Sequence, residues 1–266
     1  MARRVSTLQL SRLTLQIAVA AVALTAGVRL ARGWSLAGVE KYCPFGGLET
    51  AWSFVTHRSF SCAAGELNLA LFLALLGLTL VARKAFCSWV CPVGSVNEWI
   101  FRLVRRPGGR LPWEPPPGVD RALRWLRLPV LAVILFFTWQ TGELVFRGYD
   151  PYYILTSAHG HEVRLWSYAI LAAVLALGVV VPMAWCRYLC PLGVTLWPFS
   201  ALGRLRLRRT ESRCTACAAC SRACPHGIDV AGGTEVRSGE CTLCLECSAA
   251  CPAAGALELR LEGPKP

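Results

Sequence analysis

Histidine is scarce in this 266-residue chain: there are four, His57, His159, His161 and His226, and none lies in a long apolar run. A haem held within a bilayer by paired helix histidines is therefore excluded. Charge is sparse too, at 17% of residues against 55% hydrophobic ones, which excludes an ordinary soluble domain of this size. Acidic residues number 16 against 28 Lys and Arg, a net charge of +12. That excess does not mark a nucleic-acid binder. Residues 210–266 carry five basic and seven acidic residues, so all of it belongs to residues 1–209 and flanks apolar runs, as membrane-topology signals do.

What the chain does have is a short unit that occurs twice. Ala85-Phe86-Cys87-Ser88-Trp89-Val90-Cys91-Pro92-Val93-Gly94 and Ala184-Trp185-Cys186-Arg187-Tyr188-Leu189-Cys190-Pro191-Leu192-Gly193 lie 99 residues apart (186 minus 87). Each closes an apolar segment and precedes an amphipathic basic one, which marks two related halves.

Four apolar segments approach the ~20 residues that cross ~30 Å of hydrocarbon: Leu13–Leu30, Leu67–Ala82, Leu128–Phe146 and Trp166–Trp185. The first has a second reading as a signal peptide, with Leu24-Thr25-Ala26 as a poor cleavage site. Either way the next stretch lies outside. Residues 94–106 gather Val96, Trp99, Ile100, Leu103 and Val104 on one helical face, the pattern of an interfacial helix. Pro107–Val119 is a proline-stiffened linker. The Arg83–Arg127 connection holds nine Lys and Arg, against three in Arg32–Glu66 and two in Arg147–Arg164. The positive-inside rule thus places both termini and both cysteine units in the cytoplasm of a multi-pass inner-membrane protein.

The tail carries eight of the 14 cysteines. Cys214-x2-Cys217-x2-Cys220-x3-Cys224-Pro225 is followed by Cys241-x2-Cys244-x2-Cys247-x3-Cys251-Pro252. In such bacterial ferredoxin runs three cysteines grip one cubane and the fourth ligates the other. Cys214, Cys217, Cys220 and Cys251 are thereby assigned to one [4Fe–4S] cluster, and Cys241, Cys244, Cys247 and Cys224 to a second. A zinc ribbon needs only four ligands per ion and no twin runs, and a cytoplasmic tail disfavours disulfides.

Within each repeated unit the cysteines are four apart, so a helix presents both on one face, and the following proline ends that helix. Parallel repeats related by an axis along the membrane normal bring Cys87, Cys91, Cys186 and Cys190 together as a four-thiolate site. A third Fe–S cluster is expected there; the spacing leaves its type open. The expected fold is an all-α four-helix membrane domain of two parallel two-helix repeats (residues 1–209), followed by a small α+β bacterial-type 2[4Fe–4S] ferredoxin domain (residues 210–266).

Four spans, two C-x3-C-P units and twin ferredoxin runs together resemble the NapH/MauN/NosR type of membrane polyferredoxin, over about residues 40–255. The resemblance implies electron transfer serving periplasmic respiratory enzymes such as nitrate or nitrous oxide reductases, with quinone or haem and Fe–S proteins as partners. It departs from NosR in that too few residues precede the first apolar segment for a flavin-binding domain. Two other classes stay open: a reductase of an outer-face thiol, copper or cofactor, and an accessory protein for maturation or redox sensing.

Cys43 and Cys62 fall on the outer side, where a disulfide is permitted. A redox-active pair or a metal site is the alternative, with His57, His159 and His161 in the outer loops. Glu49 also falls in an outer loop, and Glu143 lies near the outer end of the third span, where an ionisable residue marks a functional position, here for quinone-coupled protons. Cys43-Pro44-Phe45-Gly46 echoes the Cys-Pro-aliphatic-Gly of the inner units, which favours a functional pair. Cys43→Ser is therefore expected to lower electron-transfer activity with the fold intact. A loss of about 2–4 kcal/mol of stability with activity spared, or a quantitative, reduction-resistant disulfide seen by mass spectrometry in active protein, assigns the pair a structural role instead.

Overall fold

The computed structural model describes residues 7–31, 44–58, 65–105, 115–157 and 163–262. Three helical stretches are long and apolar enough to cross a membrane: α1 (Thr7–Ala31), α3 (Gly65–Ala82), and α6 (Pro117–Arg124) running into α7 (Arg127–Thr141). A shorter apolar helix, α9 (Leu165–Val180), completes the set. Leu73, Leu78, Val133, Phe136 and Leu177 point outwards and are exposed, while Gln16, Asn68, Thr79, Thr138 and Ser167 are buried. That inversion suits lipid, which accepts apolar surface and forces polar groups into the protein interior.

Helix ends differ from the sequence expectation for physical reasons. The third span stops at Thr141 rather than Phe146 because Gly142 adopts the left-handed conformation (φ 70°) and caps it. The fourth stops at Val180, since Val181 is extended ahead of Pro182. The first begins at Thr7, so Arg12 belongs to the helix and is fully buried.

The two loops expected outside are not loops. Residues 44–57 form α2 (Pro44–His57), packed on α3 and α7, and residues 151–157 form α8 (Pro151–Ser157), packed on α1 and α9. Proline opens both helices, a position where its missing N–H costs nothing. The approach of α2 to α3 is tight: a Cβ on Gly47 would lie 2.3 Å from the Asn68 carbonyl oxygen. Glu49 on α2 is buried, accepting from Thr138 Oγ1 at 2.9 Å and from the Phe146 N–H at 3.4 Å.

Contacts run in matched pairs. α2 of the first half lies on α7 of the second, and α8 of the second lies on α1 of the first. Likewise α5 (Pro92–Val104) packs on α9, and α10 (Pro191–Leu202) on α3. Each half thus completes the other.

In the tail, β1 (Leu205–Arg209) pairs antiparallel with β2 (Leu257–Leu261), Leu205 opposite Leu261. β1 begins five residues before the boundary drawn at residue 210. Short helices α11 (Ala219–Arg222) and α12 (Glu246–Ala250) each follow a cysteine run's first two ligand positions and pack together. Leu207, Val230, Val236, Leu243, Leu245 and Leu257 form the core, and Ala85 and Trp89 of α4 (Ala85–Trp89) pack into it. The tail core therefore includes residues of the first cysteine unit.

Polar contacts fix the same junction. Arg83 donates from Nη1 to the Val236 carbonyl (2.5 Å) and from Nη2 to the Ser238 carbonyl (2.9 Å). Ser88 Oγ reaches the Thr242 carbonyl at 2.6 Å, and Trp89 Nε1 the Leu243 carbonyl at 3.2 Å. Arg12 pairs with Glu98 at 2.7 Å and with Glu246 at 3.4 Å. Glu240 is buried between Lys84 Nζ (2.9 Å) and Arg127 Nη2 (2.5 Å). Burial pushes its carboxyl up, but Lys84 and then Arg127 more than offset this and hold it down at about 2. That stabilisation is present above the ordinary carboxylate range and is lost only as pH falls towards 2. Glu240→Gln leaves two cations buried without their partner. It is expected to cost about 3–5 kcal/mol, read as a lowered thermal midpoint in detergent, whereas Lys84→Met, which keeps the Arg127 pair, costs less.

Candidate functional site

The two repeated units fold alike. In each, the second cysteine donates its N–H to the carbonyl of the aromatic five residues back, Cys91 to Phe86 at 2.9 Å and Cys190 to Trp185 at 2.8 Å. The wide turn is fully π-helical in the second copy, Trp185–Leu189. Cys91 (φ −65°, ψ 119°) and Cys190 (φ −64°, ψ 114°) then take the same extended conformation and cap α5 and α10. The prolines thus open the following helices as well as closing the preceding ones.

All four cysteines line one largely apolar cavity of about 50 Å³. Phe86, Phe146, Tyr152 and Trp185 wall it, and Lys84, Glu240 and His226 supply its polar side. Pro44 and Phe45 of α2, and Asp150 at the start of α8, reach it too. The segments expected on the outer side therefore touch the cysteine units. The signal was present: Tyr42-Cys43-Pro44-Phe45 recurs as Tyr149-Asp150-Pro151-Tyr152, so the repeat extends over the two short helices.

Cys224, Cys241, Cys244 and Cys247 line a second, smaller cavity. Cys214, Cys217, Cys220 and Cys251 form a third group at the tail's surface, where Cys220 lies close enough to Cys251 and Cys214 to interact electrostatically, and Cys214 to Cys217. Both tail runs bend the same way, with left-handed backbone at Ala216 and Ala218 in one and at Leu243 and Leu245 in the other. Four such non-glycine residues are strained, and strain of this kind gathers at sites that bind a ligand.

Environment separates the sets. Burial pushes Cys87 up to about 12 and Cys190 to about 11, with the Cys190 thiol adding to the effect at Cys87. Burial likewise takes Cys224 to about 11. Cys214, at the surface, is instead lowered by Arg209, whose Nη1 lies 3.5 Å from its sulfur. Buried thiols this weakly acidic are inert alone, and a metal that binds them takes their protons. Among the described residues no three His, Cys, Asp or Glu side chains converge closely enough for a single ion; the thiols surround spaces instead. Four thiols around a cavity, with cations beside it, fit a polynuclear iron–sulfur group.

Other residues are placed as follows. His57 Nε2 lies 2.7 Å from the Trp139 carbonyl oxygen, and Glu143 is exposed. Cys43, Cys62, His159 and His161 lie outside the described residues. Glu240, Asp120 and His226 were not singled out from sequence as site residues. Asp120, in the first turn of α6, accepts from Arg187, from Tyr188 Oη at 2.6 Å and from Arg124 Nη2 at 2.7 Å, and no spacing rule marks a lone carboxylate on a short helix.

A family profile described as a 4Fe–4S binding domain matches residues 65–110 and again 163–210, one match over each repeated unit. A 4Fe–4S dicluster profile matches residues 206–252. YccM of Escherichia coli is 32% identical over 237 residues, covering 85% of this chain and 65% of YccM. The methylamine utilization ferredoxin-type protein MauN of Methylorubrum extorquens is 30% identical over 230 residues, 81% of this chain and 75% of MauN. The ferredoxin-type protein NapH of Haemophilus influenzae is 27% identical over 162 residues, 60% of this chain and 52% of NapH. The alignment thus spans less than two thirds of YccM and about half of NapH. No solved structure matches.

The glycine that ends each unit divides the two copies. A Cβ on Gly94 would lie 1.8 Å from the Cys87 carbonyl oxygen, whereas one on Gly193 would lie 3.3 Å from the Cys186 oxygen. Gly94→Ala is expected to displace Cys87 and lower the iron content of anaerobically purified protein, and Gly193→Ala to leave that content largely unchanged, as read by iron analysis and EPR.

Proposed function

We propose that this chain, which belongs to the NapH/MauN type of 4Fe–4S ferredoxin-type membrane proteins, relays single electrons between its tail and quinone or a partner redox protein serving an extracytoplasmic enzyme. The observation that carries this reading is a shared wall: His226 and Thr242 line both the paired-unit cavity and the Cys224/Cys241/Cys244/Cys247 cavity. A site in the tail therefore abuts a site at the membrane edge. YccM carries electron transport in its name, and MauN and NapH are named as ferredoxin-type.

In this reading Cys214, Cys217, Cys220 and Cys251 hold one [4Fe–4S] cluster, Cys224, Cys241, Cys244 and Cys247 a second, and Cys87, Cys91, Cys186 and Cys190 a third Fe–S cluster. When bound, these groups supply one-electron exchange. The chain's residues do the rest. Lys84 and Arg127 place positive charge next to thiolates in a low-dielectric setting, where it counts most. Phe86, Phe146, Tyr152 and Trp185 exclude water. Arg83, Ser88, Trp89 and Arg124 grip the tail's backbone, so the separation between sites is fixed.

Nine basic residues in Arg83–Arg127 support an inner-membrane topology with both termini cytoplasmic, and the matched helix contacts support two parallel repeats. α2 runs from the cavity towards His57 over 14 residues, about 21 Å at 1.5 Å per residue. This subunit's own groups do not bridge that remaining distance, which falls to a quinone or a partner subunit.

Two measurements test the relay. Replacing Cys87, Cys91, Cys186 and Cys190 together by Ser is expected to remove the paired-unit iron alone and stop reduction of a quinone analogue while the tail stays reducible; unchanged iron sinks the third site. In liposomes of oriented protein, a cytoplasmic-side reductant should reduce an enclosed impermeant acceptor only with quinone present. Rapid reduction by the chain alone overturns the need for a partner.

A further inference from the structure

His226 stands two residues after Cys224, the fourth cysteine of the first tail run. The matching position after Cys251 in the second run is Ala253. The two runs otherwise share their spacing and their left-handed residues, so a histidine is kept only on the side of the tail that faces the membrane units. Its backbone is fixed from several directions. The Gly227 N–H closes a turn onto the Cys224 carbonyl at 3.1 Å, and Gly227 itself has a φ of +62°. Arg124 Nη2 donates to the His226 carbonyl at 2.7 Å.

The ring is 4% exposed, and neither Nδ1 nor Nε2 has a hydrogen-bond partner among the described residues. A buried N–H left without an acceptor costs about 1–3 kcal/mol, and folded proteins retain few such groups without a reason. His226 lines two cavities, and each of those is walled by four thiols. Sulfur is the acceptor on offer on both sides. Glu240, Lys84, Arg187 and Arg124 are the charged groups around it.

Resting on the ligand sets of the preceding reading, we propose that His226 donates its ring N–H to a sulfur of the iron–sulfur group in one of the two cavities it separates, and so sets the difference in potential between them. It is a positioning residue rather than a ligand. An N–H aimed at a cluster sulfur stabilises the reduced, more negative state and raises that group's potential relative to its neighbour. Because His226 lines both cavities but its ring has one proton to give when neutral, the effect is one-sided. Thr242, whose Oγ1 is also buried without a partner and lines both cavities, forms the rest of that wall.

The test uses whole, anaerobically purified protein. Resolved EPR signals from both groups check the ligand assignment, independently of His226. In the unmodified protein labelled with histidine carrying 15N in the ring only, which leaves the His226 backbone N–H beside Cys224 silent, pulsed EPR of the reduced state is expected to show a 15N coupling on one of the two signals. His226→Leu is expected to keep its iron and move one midpoint potential to a more negative value with the other unchanged, and His226→Gln, which retains an N–H, to restore much of it. Absence of the 15N coupling overturns the proposal whether or not the variants assemble. So does a His226→Leu protein in which neither potential moves or both move together.

Discussion

One carboxylate ties the molecule together. Glu240 sits one residue before Cys241, and it takes Lys84 from the first half of the membrane region and Arg127 from the second. Two halves and the tail therefore meet at a single buried anion. Its neighbours add directional bonds, from Arg83, Ser88 and Trp89 to the carbonyls of residues 236–243. Desolvating three charges is expensive, and the geometry that repays the cost is available in one arrangement only. Specificity of docking, more than stability, is what such a cluster provides.

The two repeats are not side-by-side modules. Each lends its short helix to the other's long one, α2 to α7 and α8 to α1. Neither half can bury its polar inner face alone: Thr138 on α7 is satisfied by Glu49 from α2. The cavity between the cysteine units is then the place where both halves close, lined by α2 and by Asp150 ahead of α8 as well as by the units themselves.

Much of this was legible in the residues. The ferredoxin runs were legible as 4Fe–4S sequence, and a dicluster profile matches residues 206–252. The C-x3-C-P units specify a shared face because a four-residue step returns to the same side of a helix. The apolar runs were legible as spans, with ends misplaced where Gly142 and Val181 stop the helix early. The short helices α2 and α8 were not seen. Both are short and follow turn-rich sequence, and what stabilises them is packing against helices far away in sequence, which local pattern does not report. His226 and Glu240 escaped for a related reason: each lies in a loop, and its meaning comes from what folds against it.

The exposure of Cys217, set against the burial of Cys241, Cys244 and Cys247, grades the molecule by its vulnerability to air. Dissolved oxygen and peroxide attack iron–sulfur groups and thiolates where solvent reaches them. Cys214 and Cys217, made more acidic by Arg209 and by backbone N–H groups respectively, are the thiols such oxidants reach first. Damage would start there and reach the cysteines buried against the apolar helices last, so that corrosion proceeds inward from the surface of the tail.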